Sequence, residues 1–427
     1  MVSHFKELIK KYLGKITKAY YIKVNGSKEE PKYFHDKYLK EEYSVDMTYD
    51  SISGNYTRVT ADVVAFDSPL PLKSRGTIKK ASGDIPKIGM KYVLNEKQMN
   101  TLRILQSVPG KSKELIKKIF SDVEGCVFGI KERIEQAFLI GFSSGTTLIQ
   151  DSENVGHGIR IDYDIPKSNQ FGTSVKWSKP DAKPIDDIKR ILKSARDKGE
   201  YPTHIWMNSD TIDLLSNNKQ FKEQHAFFLN FTGTQIPVLD EDQTINVLSK
   251  KLKLKVIVID RSFVHEKDGK KIVTQGWAPN MVVLTTGTDL GTLVYSTLAE
   301  ESFPVEGVQY AKPNSYILIG KSGQTDPPSE KTTGQAIVFP VLQNVESFFY
   351  LNTEEAIEVS SKEVEGDTQI NIWGGVYDKQ KVINILNVLD IQTDNNITDS
   401  DLISKINELS NEEEELVKEE VLKLNNI

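Results

Sequence analysis

A single cysteine, Cys126, stands in the 427-residue chain. It excludes a disulfide framework within one chain and a cysteine-rich zinc site. Lying inside an apolar helical stretch, it is expected to be a free core thiol in a reducing cytoplasm. Histidine is scarce too. The six histidines are isolated, with no His-Glu-x-x-His and no close pair, so no metal site is expected. No stretch approaches the ~18 apolar residues of a membrane helix. The amphipathic start, with His4, Lys6, Glu7, Lys10 and Lys11 among apolar residues, lacks the apolar run of a signal peptide. No membrane partner is expected, and Asn-x-Ser/Thr matches at Asn25 and Asn55 carry no glycosylation meaning. An excess of positive charge is also missing. The net charge of -6 argues against wholesale wrapping of nucleic acid, which needs many cations to displace counterions. No internal repeat and no low-complexity tract occur.

What is present is ordinary globular material, 38% hydrophobic and 27% charged. Residues 1–57 are polar, rich in Lys and Tyr and weakly periodic after a first short helix, so they are expected to form an arm that orders on partners. From Thr57 to Phe66 apolar residues alternate as in a strand. Pro69 and Pro71 follow, and two prolines in three residues forbid helix and central strand. With the β-like run Thr77–Tyr92, the pattern predicts a long two-stranded excursion with too little core to stand alone. A helix is predicted from an N-cap at Asn95, with Met99, Leu102 and Leu105 on one face. A longer one is predicted from Ser112 to Phe142, with one continuous apolar stripe ended by Gly141-Phe142-Ser143-Ser144-Gly145. Downstream, helices are expected at 185–198 and 243–252, and strands at 158–165, 204–208, 256–259, 281–285, 336–341 and 347–351. A hairpin is expected around Asp268-Gly269, a surface loop over Tyr310–Gly334, and helix from Asp378 onward. Strands scattered among helices, without a βαβ rhythm, predict an α+β fold.

Signals for chemistry are weak. Gly141-Phe142-Ser143-Ser144-Gly145 matches the G-x-S-x-G nucleophile elbow, but it follows a long helix where that motif follows a strand, and no histidine downstream is marked as a partner. Asp186-Asp187 and Asp240-Glu241-Asp242 sit where helices begin, which the macrodipole explains; the second cluster lacks the EF-hand spacing for calcium. Thr285 to Gly291 lacks the lysine and the glycine spacing of a phosphate loop and reads as a turn. The basic run Lys250 to Lys255 is expected to be a solvated helix end in preference to a DNA contact. No catalytic residue, cofactor or enzymatic activity is expected.

The order of arm, β excursion, long helix and α+β body resembles the tailed-bacteriophage capsid fold, the Hong Kong 97-like fold. The nearest likeness is to the lambda-type major capsid protein E family. It is carried by Asp62–Gly76 with Gly83–Gly89, by the helix ending at Gly141–Gly145, by Pro184–Ile188 through Trp206-Met207-Asn208, and by Leu252–Asp260 with Trp277–Asn280. The resemblance implies an N-terminal arm at 1–56, an E-loop hairpin at 57–94 and a spine helix with P-domain at 95–183. It implies an A-domain at 184–345, returning P-domain strands at 346–378 and a C-terminal helical extension at 379–427. It implies a major capsid protein, a structural protein that self-assembles into hexamers and pentamers. These would form the icosahedral head around the double-stranded DNA of a tailed phage (Caudoviricetes). Inter-subunit contacts would then come from Pro69, Leu70, Pro71, Leu72, Lys73, Arg75, Ile85, Pro86 and Ile88, with Gly141 and Gly145 as the helix-stop turn. Implied partners are copies of itself, scaffold, portal and decoration or auxiliary head proteins, with DNA touched only weakly and non-specifically. The implied location is the virion capsid, assembled in the host bacterial cytoplasm. An encapsulin-like compartment shell is the alternative, and a serine hydrolase using Ser143 a remote one.

Overall fold

The computed structural model describes residues 6–25, 33–54, 78–107, 112–149, 158–230, 238–267, 269–356, 369–372 and 375–389, with short pieces between 391 and 418. It divides into a unit of residues 1–357 and a unit of residues 358–427.

The first unit begins with helix α1 (Lys6–Asn25), whose Ile9 and Leu13 are buried in the core that helix α5 (Ser121–Ser144) also lines. The chain continues through α2 (Phe34–Tyr38), β1 (Leu39–Tyr43) and β2 (Thr48–Gly54). The expected free arm is therefore docked on its own chain: its apolar residues recur at helical spacing and find α5, and β1 pairs in parallel with β13 (Gly291–Ser296). The strand expected at Thr57–Phe66 lies outside the described residues. The excursion that is described pairs β2 with β3 (Ile78–Asp84), from Thr48 opposite Asp84 to Gly54 opposite Ile78. Strand β4 (Lys87–Leu94) then leaves the hairpin and hydrogen-bonds to β16 (Pro328–Leu342).

Helix α3 (Glu96–Ser107) opens on a reciprocal cap: the Asn95 side chain accepts from the Gln98 N–H at 3.0 Å, and the Gln98 side chain accepts from the Asn95 N–H at 2.9 Å. The single helix expected over 112–142 is two, α4 (Ser112–Ile119) and α5, broken at Phe120. The reason is a buried lysine. Lys321 donates to the Ile119 carbonyl at 2.9 Å and to the Thr332 hydroxyl at 2.7 Å, giving the end of α4 a partner outside the helix. Burial holds the Lys321 ammonium below its ordinary range.

Strands β5 (Thr146–Ile149) and β6 (Ile159–Asp162) form a hairpin, and β7 (Gln170–Thr173) follows. Four helices then alternate with two strands: α6 (Pro184–Asp197), β8 (His204–Met207), α7 (Ser209–Asn217), α8 (Lys219–Phe228), α9 (Glu241–Leu252) and β9 (Lys255–Val258). β8 and β9 are parallel and joined by three helices, a crossover that weak periodicity did not reveal. Hairpin β10 (Ser262–Lys267) and β11 (Lys270–Gln275) leads to β12 (Met281–Thr285), β13, the short α10 (Ala299–Ser302), β14 (Gln309–Ala311) and β15 (Leu318–Thr325). The surface loop expected over Tyr310–Gly334 is thus mostly sheet. Its glycines and serines sit in the long β15–β16 pairing, and Gly334 is where β16 crosses α5 so closely that a Cβ would lie 2.6 Å from that of Cys126.

Two sheets result. One runs β1-β13-β16-β15-β14 with β4 also on β16; the other runs β7-β17-β12-β8-β9, where β17 is Phe348–Ala356. Strands β13 to β16 join the sheet of β1 and β4, whereas β17 joins the sheet of β8 and β12. The second sheet is buried on both faces. Ile205, Met207, Val282, Leu284, Phe349 and Leu351 enter a core shared with α6 to α9, while Trp206, Val283, Phe348 and Tyr350 enter the α5 core. Alternate residues serving two cores explain why these strands are continuously apolar in sequence. At their meeting point Phe142 contacts Trp206, Trp277 and Phe348 edge-on, with centroids 5.1, 5.7 and 5.6 Å away. Each such pair adds roughly 0.5–1.5 kcal/mol beyond its area.

The second unit holds an antiparallel pair, β18 (Gln369–Ile372) with β19 (Gly375–Asp378), and helix α11 (Lys379–Val388). Val382, Ile383, Leu386, Leu402, Ile406 and Val417 form its own small core. The extension expected from 379 therefore has a hairpin before its helices.

Candidate assembly surface

Of the residues expected to reach a neighbouring copy, Pro69, Leu70, Pro71, Leu72, Lys73 and Arg75 lie outside the described residues. Ile85 is buried in its own chain's core, with its N–H on the Met47 carbonyl at 2.8 Å. Pro86 and Ile88 are half-buried, and Ile88, opposite Ala336 in the β4–β16 ladder, packs against the same core. The physical reason is that the chain joins the body sheet here: Ile88, Met90 and Leu94 of β4 pack on the core, whereas Tyr92 and Val93 of the same strand remain exposed.

The helix-stop turn is built from Gly145, at φ +74°, whose N–H donates to the Gly141 carbonyl at 2.9 Å. Gly141 lies one turn earlier, against Thr147; a Cβ there would come 2.2 Å from the Thr147 hydroxyl oxygen. Ser143 between them is fully buried, donates to the Ile140 carbonyl at 3.2 Å and accepts from the Ala278 N–H at 2.9 Å. A serine inside a helix, tied on both sides to backbone, has none of the geometry of a nucleophile beside a base.

Polar side chains on α5, unremarked in the sequence, make the most concentrated electrostatic site. Glu135, fully buried, accepts from the Phe34 N–H at 2.8 Å and the His35 N–H at 3.0 Å, and lies 2.6 Å from His35 Nδ1. Lys131, also fully buried, reaches Asp36 at 2.5 Å, with the Tyr21, Tyr33 and Tyr316 rings 5.0, 5.8 and 5.8 Å away. Glu132 takes the Tyr33 hydroxyl at 2.9 Å and Arg261 at 2.8 Å. Gln136 lies 3.0 Å from His265 Nε2, on hairpin β10–β11. Burial and the neighbouring acids push the Tyr33 hydroxyl far above the usual phenol range, so it stays protonated and donates to Glu132. One helix face thus clamps residues 33–38 and hairpin β10–β11 to the body. The signal was present as Lys131-Glu132 and Glu135-Gln136 interrupting an apolar stripe.

The other polar clusters are structural. Asp187 is buried, accepts from the Ser174 N–H and hydroxyl at 3.0 and 2.9 Å and from Trp177 Nε1 at 3.1 Å, and so anchors a loop as well as a helix start. Asp240 caps α9 by accepting from the Gln243 N–H at 2.7 Å. Thr285 donates to the Gly287 carbonyl at 2.8 Å, closing a turn. In the run 250–255, Leu252 and Leu254 are buried and Lys253 ends α9 in the left-handed conformation, so the run is a helix end. Among the described residues no group of acidic, histidine or cysteine side chains gathers in metal-binding geometry, and no helix is long and apolar enough to cross a membrane. Large apolar side chains do remain exposed on the chain taken alone, among them Val45 at 83%, Phe303 at 81% and Phe227 at 74%.

The model of the phage major capsid protein E family matches residues 22–305. The chain belongs to the phage major capsid protein E family. Among solved structures, it is similar to the capsid protein assigned to a prophage of Escherichia coli CFT073, with a TM-score of 0.50 and 15% identity over 79% of this chain and 98% of that one. A cyanophage A-1(L) capsid chain matches with a TM-score of 0.43 and 12% identity over 74% of this chain and 90% of that one. The SrpI encapsulin of Synechococcus elongatus PCC 7942 matches with a TM-score of 0.35 and 8% identity over 76% and 88%. No curated protein matches the chain. The fold of this phage major capsid protein E family member is the Hong Kong 97-like capsid fold, in which the α5 unit and the α6–α9 unit share β17 and β12 as their seam.

Proposed function

We propose that the chain is the head subunit of a tailed phage, self-assembling into hexamers and pentamers that enclose double-stranded DNA. The observation that carries this reading is the family match over 22–305, which covers α5, α6 to α9 and strands β1 to β13. In this reading residues 48–84 are the E-loop, the body around α5 is the P-domain, and the second sheet with α6 to α9 is the A-domain. Exposed Val45, Phe303 and Phe227 support it, since a shell subunit buries such side chains against copies of itself. Leu70, Leu72, Lys73 and Arg75, between the two prolines and the returning strand, are proposed to meet the adjacent subunit. Buried ion pairs there would fix register more than they add energy. Scaffold, portal and decoration proteins are the proposed partners, and the virion capsid, assembled in the bacterial cytoplasm, is the proposed location.

The test is to express the full chain and examine it by negative-stain electron microscopy and sedimentation. Rings, sheets or closed icosahedral shells are expected. Persistent monomer, even with the neighbouring phage genes supplied, would overturn the reading. Closed shells that co-purify with a cargo enzyme in place of DNA would replace it with a compartment shell.

A further inference from the structure

The chain is acidic overall, at -6, yet α1 carries six lysines and one glutamate. Helical spacing sorts them. Ile9, Leu13 and Thr17 are buried, and Ile16, Tyr20 and Tyr21 are packed with them against the α5 core. Lys11, Lys15 and Lys18 are exposed, and their i, i+4, i+7 spacing puts them on the opposite face. At ~1.5 Å of rise per residue they stand about 6 Å and then about 4.5 Å apart along the axis. Gly14 and Ala19 beside them are exposed and small, and a Cβ at Gly14 would meet nothing within 4 Å. Lys11 lies over the Tyr12 ring at 5.2 Å; among the described residues no carboxylate is in ion-pair range of these three lysines. Lys23, by contrast, is tied to Glu124.

We propose that this lysine face contacts the phosphate backbone of double-stranded DNA, an inference that rests on the capsid reading. Three ammonium groups in a row on a rigid helix can each displace a counterion from DNA without reading any base. A protein partner fits less well. Protein interfaces are depleted in lysine and built around an apolar centre, and the row offers neither aromatic nor arginine anchors. A second copy using the same face would set like charges against each other. The contact is weak and local, which agrees with an acidic chain that does not wrap DNA.

The test uses the full-length, unassembled chain and a short mixed-sequence DNA duplex, with binding followed by fluorescence anisotropy over a salt series. The triple variant K11Q/K15Q/K18Q is expected to reduce the slope of log affinity against log salt by about 2.7, at ~0.9 per phosphate. Between 50 and 200 mM salt the wild type should then lose about 40-fold more affinity than the variant. A control replacing exposed Lys176, Lys179 and Lys193 by Gln should leave the slope in place. A slope change below about one for the triple variant, or an equal change for the control, overturns the proposal. Thermal melts and shell imaging run beside it. A variant that still forms shells and keeps the wild-type slope defeats the DNA contact alone. Loss of assembly with an unchanged slope makes the face a protein contact and likewise overturns it. A wild-type chain that forms no shells defeats the capsid reading.

Discussion

Replacing Glu135 by Ala should release the segment that runs from Tyr33 through β1 while leaving the α6–α9 half of the molecule intact. Glu135 is fully buried and holds two backbone N–H groups of α2 and the His35 ring. Alanine leaves all three without that acceptor. One orphaned buried donor costs roughly 1–3 kcal/mol, and three in one pocket relax together and do not simply add. Breaking a buried charged contact from one side costs about 3–5 kcal/mol, which is the figure we adopt. At ~1.4 kcal/mol per decade, the equilibrium for local opening of residues 33–43 rises by about two to three and a half orders of magnitude. Hydrogen exchange followed by mass spectrometry reads this directly. Peptides covering α2 and β1 should lose protection by that factor, and peptides covering α7, α8 and α9 should not change, because their core is a separate one. Glu135→Gln keeps one acceptor oxygen and should fall between. Unchanged protection over 33–43 in the alanine variant would refute the clamp, as would a uniform loss across both halves.

Burial pushes the Cys126 thiol up to about 12, with Asp122 adding to the effect. At pH 9 on the order of 0.1% is thiolate, so a thiol reagent should label the native chain negligibly and label it fully after unfolding; rapid native labelling would contradict the packing. Because the folded state holds this proton more tightly than the unfolded one, its contribution is complete below about pH 9 and is lost as pH rises toward about 12. Denaturant midpoints should therefore fall across that window, and fall less in Cys126→Ala. Ser143→Ala deprives the Ala278 N–H of its acceptor and should cost about 1–2 kcal/mol in a denaturant melt while leaving shell formation intact. Loss of a measurable esterase activity in that variant would reinstate the hydrolase. Gly145→Ala places a Cβ 2.6 Å from Ile165 Cγ1 in a left-handed residue, and a loss of roughly 1–3 kcal/mol is expected; an unchanged melt would mean the turn is remade elsewhere.

Local signals were legible where one element decides its own form. The Asn95 cap, the glycine end of α5, the hairpin closing at Gly269 and the strands at 255–258 and 281–285 all follow from a few adjacent residues. Reading failed where a distant residue decides. Nothing between 112 and 142 announces that Lys321, far along the chain, will take the Ile119 carbonyl and break the helix. The glycines and serines of 310–334 carry turn propensity, yet β4 and β15 on either side of β16 override it with ladder bonds. Ile85 and Ile88 pack on the chain's own core because the chain leaves the hairpin there and enters the body sheet through β4, a pairing that no adjacent residue announces.

That displacement of β4 matters for how the subunit can move. The hairpin β2–β3 is tied to the body at its base by the Ile85 N–H on Met47 and by the full β4–β16 ladder from Lys87 to Leu94. A swing of the excursion must therefore pivot beyond Ile85, because moving β4 would break ladder bonds and expose the core that Ile85 and Ile88 line. The segment before β2 is anchored differently, through β1 on β13 and through the Lys131 and Glu135 clamp. One side of the hairpin root is thus fixed by a sheet and the other by a short parallel strand and a few buried charges. The second is the weaker, since parallel pairing of one edge strand holds few bonds and the charges tolerate no loss of partner. If the subunit has two arrangements, the chain between 33 and 47 is where they differ first, and β4 is where they stay the same.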